Sequence, residues 1–272
     1  MNQQADITQK NYRQLILEIG LDGFSFAVKD ALTNRIDVVK KVDFAGFDFS
    51  EKVENFYWKA FLNHKELTRN YDSVLILHQN AWHTFVPQSL FDQDYLASYL
   101  QYSSKVYDTD SFAFDELRDH EMNNVFVPFA NLNNFLLEQF EHCTFKHSTS
   151  VLVCKLLEMS KNKLEKQMYC HFRKNSFELM VAENQKLLLF NSFEISSAAD
   201  FIYYVLFTAE QLGLNTEHFE LHFLGNVSQK SDFFEIAFKY VRNAEMLDVS
   251  DLQKQNAFDA ITNREHFIML NS

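Results

Sequence analysis

An α/β protein made of two copies of one β-β-β-α-β module is the fold this sequence predicts, and three observations carry the prediction. Apolar and polar residues alternate with a period of two in two separate stretches, one from Leu15 and one from Met168. Each stretch is followed by a segment whose apolar residues recur at three- and four-residue steps, and then by another short apolar run. That order, strands, helix, strand, occurs once in each half of the chain.

In the first copy, Leu15 to Ile19 is apolar apart from Glu18, and Phe24, Phe26 and Val28 alternate with Ser25, Ala27 and Lys29. Gly20-Leu21-Asp22-Gly23 between them supplies residues that tolerate positive φ, so the chain can double back. Asn34 marks the next reversal, and Ile36, Val38 and Val42 make a third strand. Ser50 is placed to cap a helix through Val53, Phe56, Tyr57, Ala60 and Phe61, reaching about Leu67. Asp72 to Leu77 is apolar on both faces, as a covered central strand requires.

A bridge follows. Trp82 to Val86 reads as a short strand, Phe91 to Tyr102 as a helix, Asp108 to Glu121 as a solvated acidic excursion anchored by Phe112 and Phe114, and Val125 to Val127 as a strand. Asn131 to Phe140 is a helix, Thr144 to His147 a short extended piece, and Ser148 to Lys161 a further helix. The polar run Lys163 to Lys166 is the expected boundary, giving a first half over 1–163 and a second over 164–272.

The second copy repeats the plan. Met168, Cys170 and Phe172 alternate with polar neighbours, Lys174-Asn175 turns the chain, Phe177, Leu179 and Val181 form the next strand, and Leu187 and Leu189 the third. Ser196 or Ser197 caps a helix through Phe201, Ile202, Val205, Leu206, Ala209 and Leu212, ended by Gly213 in a left-handed conformation. Phe219, Leu221 and Phe223 make the fourth strand, and Gly225-Asn226 leads into a helix over Ser231 to Arg242.

Composition narrows the function classes. A chain of 272 residues with 47% hydrophobic side chains builds one large core or two ordinary ones. It holds 29 Phe against 5 Gly and 2 Pro, so the core is aromatic and no Pro/Gly-rich linker separates the halves. The formal charge of -12 opposes binding to phosphate backbones and anionic lipid, and nucleic acid is excluded as a partner. No apolar run approaches the ~20 residues of a membrane span. The unpaired set Cys143, Cys154 and Cys170 and a polar N-terminus point to a reducing, cytoplasmic setting.

Two β-β-β-α-β units joined by a strand-helix-strand-helix bridge resemble the actin-like ATPase superfamily, in which two ribonuclease-H-like halves enclose a nucleotide. The bridge VFVPFANLNNFLLEQFEHCTFKHSTSVLVCKLLE is similar to that of the actin-like cytoplasmic proteins of type IV pilus and type II secretion platforms. The whole chain also resembles an uncharacterised bacterial family assigned to that superfamily.

The resemblance implies where a nucleotide would sit. Active members carry an acidic residue and glycines on the first hairpin of each half, where backbone N–H groups approach phosphate and the carboxylate holds hydrated magnesium. Glu18, Gly20, Asp22, Gly23 and Ser25 match the first such turn loosely, with a plain hairpin turn as the other reading. At the second stands Phe172-Arg173-Lys174-Asn175-Ser176, without glycine or acid. The glycine pair that receives adenosine is reduced to Gly225 followed by Asn226, which reads equally as a strand-to-helix turn.

Other chemistries fall short. Glu18 and Glu54 begin a two-metal nuclease set that His78-Gln79-Asn80 does not complete. His218 and His222 on one strand lie about 13 Å apart, too far to share an ion, and read as sheet-surface residues. His142, Cys143 and His147 read as ordinary packing, so no metal site is assigned. The expectation is a degenerate actin-like protein that serves as an intracellular scaffold for an unidentified protein partner, without a cofactor. The alternative is an ATP-binding ATPase that uses magnesium through an atypical phosphate site.

Overall fold

The computed structural model describes residues 10–44, 51–102, 104–107 and 109–272. Residues 1–9, the expected cap Ser50, and Asp108 lie outside the described residues. The chain divides into two compact units, Met1–Ser150 with Ser272, and Val151–Asn271.

In the first unit, β1 (Arg13–Ile19), β2 (Gly23–Asp30) and β3 (Arg35–Asp43) are followed by α1 (Val53–Asn63) and β4 (Ser73–His78). The strands β5 (His83–Pro87), β6 (Ala113–Leu117), β7 (Met122–Phe126) and β8 (Cys143–His147) come after, with α2 (Leu96–Leu100) and α3 (Ala130–Gln139) among them. The main sheet has the order β3-β2-β1-β4-β8. Neighbouring β1 and β2 are antiparallel, whereas β4 pairs in parallel with both β1 and β8. Period-two alternation puts Leu15, Leu17, Ile19, Phe24, Phe26, Val28, Val74 and Ile76 into one core with Tyr57, Phe61, Leu132 and Leu136 from α1 and α3.

A smaller sheet, β5-β7-β6, carries a correction. The acidic stretch expected as solvated contains the edge strand β6, because Phe114 packs on a local core of Val86, Leu100 and Val125. Asp115 lies beside Ser150, whose Oγ donates to its Oδ2 at 2.5 Å, and the His147 amide donates to the same oxygen at 2.8 Å. Burial pushes this carboxyl above its ordinary range, against those hydrogen bonds. The expected helix over Phe91 to Tyr102 shortens to α2, with single 3-10 turns before it.

Helix α4 (Ser148–Met159) holds the division between the units, after Ser150, and Lys163 to Lys166 lies within the second unit. There β9 (Gln167–Phe172), β10 (Ser176–Glu183), β11 (Lys186–Glu194), α5 (Ala198–Gln211), β12 (Glu220–Gly225), α6 (Asp232–Tyr240) and β13 (Asn243–Met246) precede three short helices, α7 (Ser250–Gln255), α8 (Ala260–Glu265) and α9 (Phe267–Leu270). The sheet order β11-β10-β9-β12-β13 reproduces that of the first unit. Ser197 caps α5, its Oγ accepting from the Asp200 amide at 3.2 Å. Gly213 ends the helix at φ +61°, with the Leu214 amide returning to Ala209 O at 2.8 Å. Ser231 caps α6 by accepting from the Phe234 amide at 3.3 Å.

Candidate functional site

The turns at which the resemblance would set a nucleotide are placed where the alternation puts them, and their hydrogen bonds decide what they can offer. Between β1 and β2, the Gly20 amide donates to Gly23 O at 3.0 Å and to Tyr57 Oη at 3.1 Å. Tyr57 Oη in turn donates to Gly20 O at 2.8 Å. The phenol thus grips both polar groups of one glycine, and burial, foremost, raises its pKa well above the ordinary value. Gly23 is needed for close strand packing, since a Cβ there would stand 2.5 Å from Val42 O. Asp22 is exposed at the tip, while Ser25 sits on β2 opposite Glu18 of β1. Glu18 itself is buried.

In the second unit the matching turn is occupied by side chains. Phe172 is buried, and its ring packs against Phe177, Phe201, Phe223 and Phe233 at centroid distances of 5.6, 5.1, 5.7 and 5.2 Å. The Arg173 amide donates to Ser176 O at 2.9 Å, closing the hairpin. Arg173 Nε also donates to Glu178 Oε1 at 2.9 Å, and His171 Nδ1 meets Glu178 Oε2 in a very short contact. Burial alone would raise the Glu178 carboxyl, but Arg173 and His171 together outweigh it and bring it down to about 2. Lys174 is exposed at the tip.

Gly225 ends β12 at φ +84°, and a Cβ there would lie 2.2 Å from Phe172 O and 2.8 Å from Phe172 N. Glycine is therefore demanded by the passage of β9. The Asn226 amide donates to that same Phe172 O at 2.8 Å, and the Asn226 side chain is exposed. Gly20, Asp22, Gly23 and Ser25 share one hairpin of the first unit, and Gly225 and Asn226 share one strand end of the second.

The histidines sort differently from their sequence reading. His218 is exposed and precedes β12, whereas His222, expected on a sheet surface, is buried because its strand lies between β9 and the unforeseen β13. Burial lowers the His222 pKa, against the pull of Glu245 and Glu220. Cys143 Sγ donates to Phe140 O at 3.8 Å, and His147 Nδ1 is 2.7 Å from Thr149 Oγ1, so these two are engaged in packing. Glu220, His222 and Glu245 are the group of described residues whose ligand atoms all lie within 4.8 Å of one another. Sequence reasoning missed it because Glu245 enters only through β13, four residues long.

No helix among the described residues is long and apolar enough to cross a membrane. A family model described as a protein of unknown function (DUF3822) matches residues 2–244. A crystal structure from Bacteroides thetaiotaomicron VPI-5482, a protein with actin-like ATPase fold and unknown function, is similar at TM-score 0.81 and 23% identity, covering 99% of this chain and 100% of that one. The PilM-PilN type IV pilus biogenesis complex contains a chain similar at TM-score 0.57 and 13% identity, with 94% and 96% covered. The cytoplasmic domain of EpsL, an inner membrane component of the type II secretion system of Vibrio cholerae, is similar at 0.50 and 11%, with 96% and 95% covered. No curated protein matches the chain.

Proposed function

The chain belongs to the DUF3822 family of proteins of unknown function and has an actin-like ATPase fold, and from that premise we propose that it is a non-catalytic scaffold for a protein partner inside the cell. One observation carries this reading. In each of the three turns where the fold family would present backbone N–H groups to a nucleotide, a key amide is spent on the protein itself: Gly20 on Gly23 O and Tyr57, Arg173 on Ser176 O, Asn226 on Phe172 O. A phosphate competing for them must first break a hydrogen bond in its own turn, and at Gly20 the bond lost is buried.

The kind of partner follows from what stands out of the second unit. Tyr203 and Phe207 stack at 5.9 Å on α5, and Phe238 and Tyr240 stand on α6. All four are exposed, and such aromatics are common anchors of protein interfaces. Chains of the same fold are described in a pilus biogenesis complex and in a secretion system, which supports an assembly role by analogy of fold. A cytoplasmic location accords with three free cysteines.

A thermal-shift titration with magnesium ATP tests the reading. A ligand at a hundred times its dissociation constant adds about 2.7 kcal/mol of stability. No shift is expected; a clear rise, abolished by Asp22→Asn, favours the ATP-binding alternative through Gly20, Asp22, Gly23, Ser25, Gly225 and Asn226.

A further inference from the structure

Strands β12 and β13 run parallel and pair His222 with Glu245. Glu220 stands two residues before His222 on β12, so the period of a strand sets all three side chains on one face of the sheet. His222 is only 5% exposed. Its Nε2 lies 2.9 Å from Gln167 Oε1 and 3.3 Å from Glu220 Oε2. The Gln167 amide is oriented from behind, because its Nε2 donates to Glu165 O at 2.9 Å and leaves Oε1, an acceptor, against the imidazole. Nε2 of His222 therefore carries the hydrogen, and Nδ1 presents a bare lone pair.

That lone pair is shielded from solvent and makes no hydrogen bond among the described residues. Glu245 Oε1 stands 3.3 Å from it. Two acceptors thus face each other with no donor between them, an arrangement that costs free energy unless a positive charge lies between. The spacing suits a metal ion: two ligands held at about 2.0–2.1 Å on a tetrahedral centre are about 3.3–3.4 Å apart. The imidazole is held for such a task. Tyr169 stacks on it with ring centroids 5.2 Å apart, and Gln167 and Glu220 fix its Nε2 side as outer-sphere partners do for metal-bound histidines.

There is also room for the rest of a coordination sphere. His222 and Glu245 line a cavity of about 240 Å³, together with Tyr169, Asp248, Asp251 and Asn271. We propose that His222, through Nδ1, and Glu245 bind a divalent first-row transition ion at the β12–β13 edge, with Gln167 and Glu220 holding the imidazole from its Nε2 side and water from the cavity filling the open positions. A nitrogen and a carboxylate donor suit zinc or manganese better than the all-oxygen preference of calcium or magnesium. The site uses none of the residues of the phosphate turns, so it stands or falls apart from the scaffold reading.

The test takes the full chain, strips it with a chelator and titrates it with zinc and, separately, manganese, reading metal content after dialysis and the thermal midpoint. One ion per chain and a raised midpoint are expected for at least one of the two metals. Glu245 is 65% exposed, so Glu245→Gln preserves the fold; it is expected to weaken binding at least about tenfold, as loss of even an outer partner does. His222→Gln is expected to abolish binding, and His218→Ala, a change at an exposed histidine outside the cluster, to leave it intact. Binding of neither metal, or binding that Glu245→Gln leaves unchanged, overturns the assignment.

Discussion

The two units close the same hairpin, the one between their first and second strands, by opposite means. In the first, neutral groups do it: Tyr57 Oη accepts from the Gly20 amide and donates to Gly20 O, and no charged side chain takes part in these bonds. In the second, charge does it: Glu178 of β10 draws His171 of β9 and Arg173 of the turn onto one buried carboxylate. The shared strand order fixes where the turn falls and leaves its chemistry open.

The charge-closed turn should be the more fragile. Glu178→Gln removes the buried carboxylate that His171 and Arg173 share, and is expected to cost about 3–5 kcal/mol in denaturant unfolding. The wild type should show the same dependence through pH. The folded carboxyl, at about 2, lies below its ordinary 4.5. Its contribution is therefore complete above pH 4.5 and is lost as pH falls from there toward 2, where the unfolded chain takes up the proton first. Glu178→Gln should flatten the acid slope of stability in that window; an unchanged slope would remove Glu178 from its cause.

Next in size is Gly225→Ala, where the new Cβ meets the Phe172 backbone at 2.2 Å and φ is +84°. A loss of about 3 kcal/mol is expected. Gly213→Ala is the control, because φ there is +61° but nothing lies within 4 Å, so only the left-handed penalty of about 1 kcal/mol remains. Equal losses at the two glycines would show that φ, and not the approach of β9, is what demands Gly225.

The neutral turn should show a smaller effect than the charge-closed turn or Gly225. Tyr57→Phe removes one hydroxyl and leaves Gly20 O without its phenol donor, for about 1–2 kcal/mol. The same variant sharpens the functional comparison, since it frees the Gly20 amide from one of its two acceptors. A gain of magnesium ATP binding in Tyr57→Phe, absent from the wild type, would identify the phenol as what shuts the first turn.

Much of this was legible in the residues. The alternation from Leu15 and from Met168 placed six strands, and Ser197, Gly213 and Ser231 marked helix ends where their caps lie. The His171–Glu178 pair was within reach too, because a turn at Lys174-Asn175 sets those two residues opposite each other in the β9–β10 register. The acidic stretch misled because its net charge argued for a solvated excursion, although Phe112 and Phe114, read there as anchors only, draw a strand, β6, onto the small sheet. The four residues of β13 and the short helices after it carry too little periodicity to register.

The sequence by itself determined the module and its repetition, since these follow from local alternation and turn residues that act over a few positions. Tertiary structure alone decided what the special positions do. Tyr57 reaches Gly20 across 37 residues, Gln167 orients His222 across 55, and Glu245 meets His222 only because β13 pairs with β12. Hydrogen bonds and metal geometry depend on distances of a few tenths of an ångström between groups remote in the chain, and residue order along a strand says nothing of that until the strands are docked.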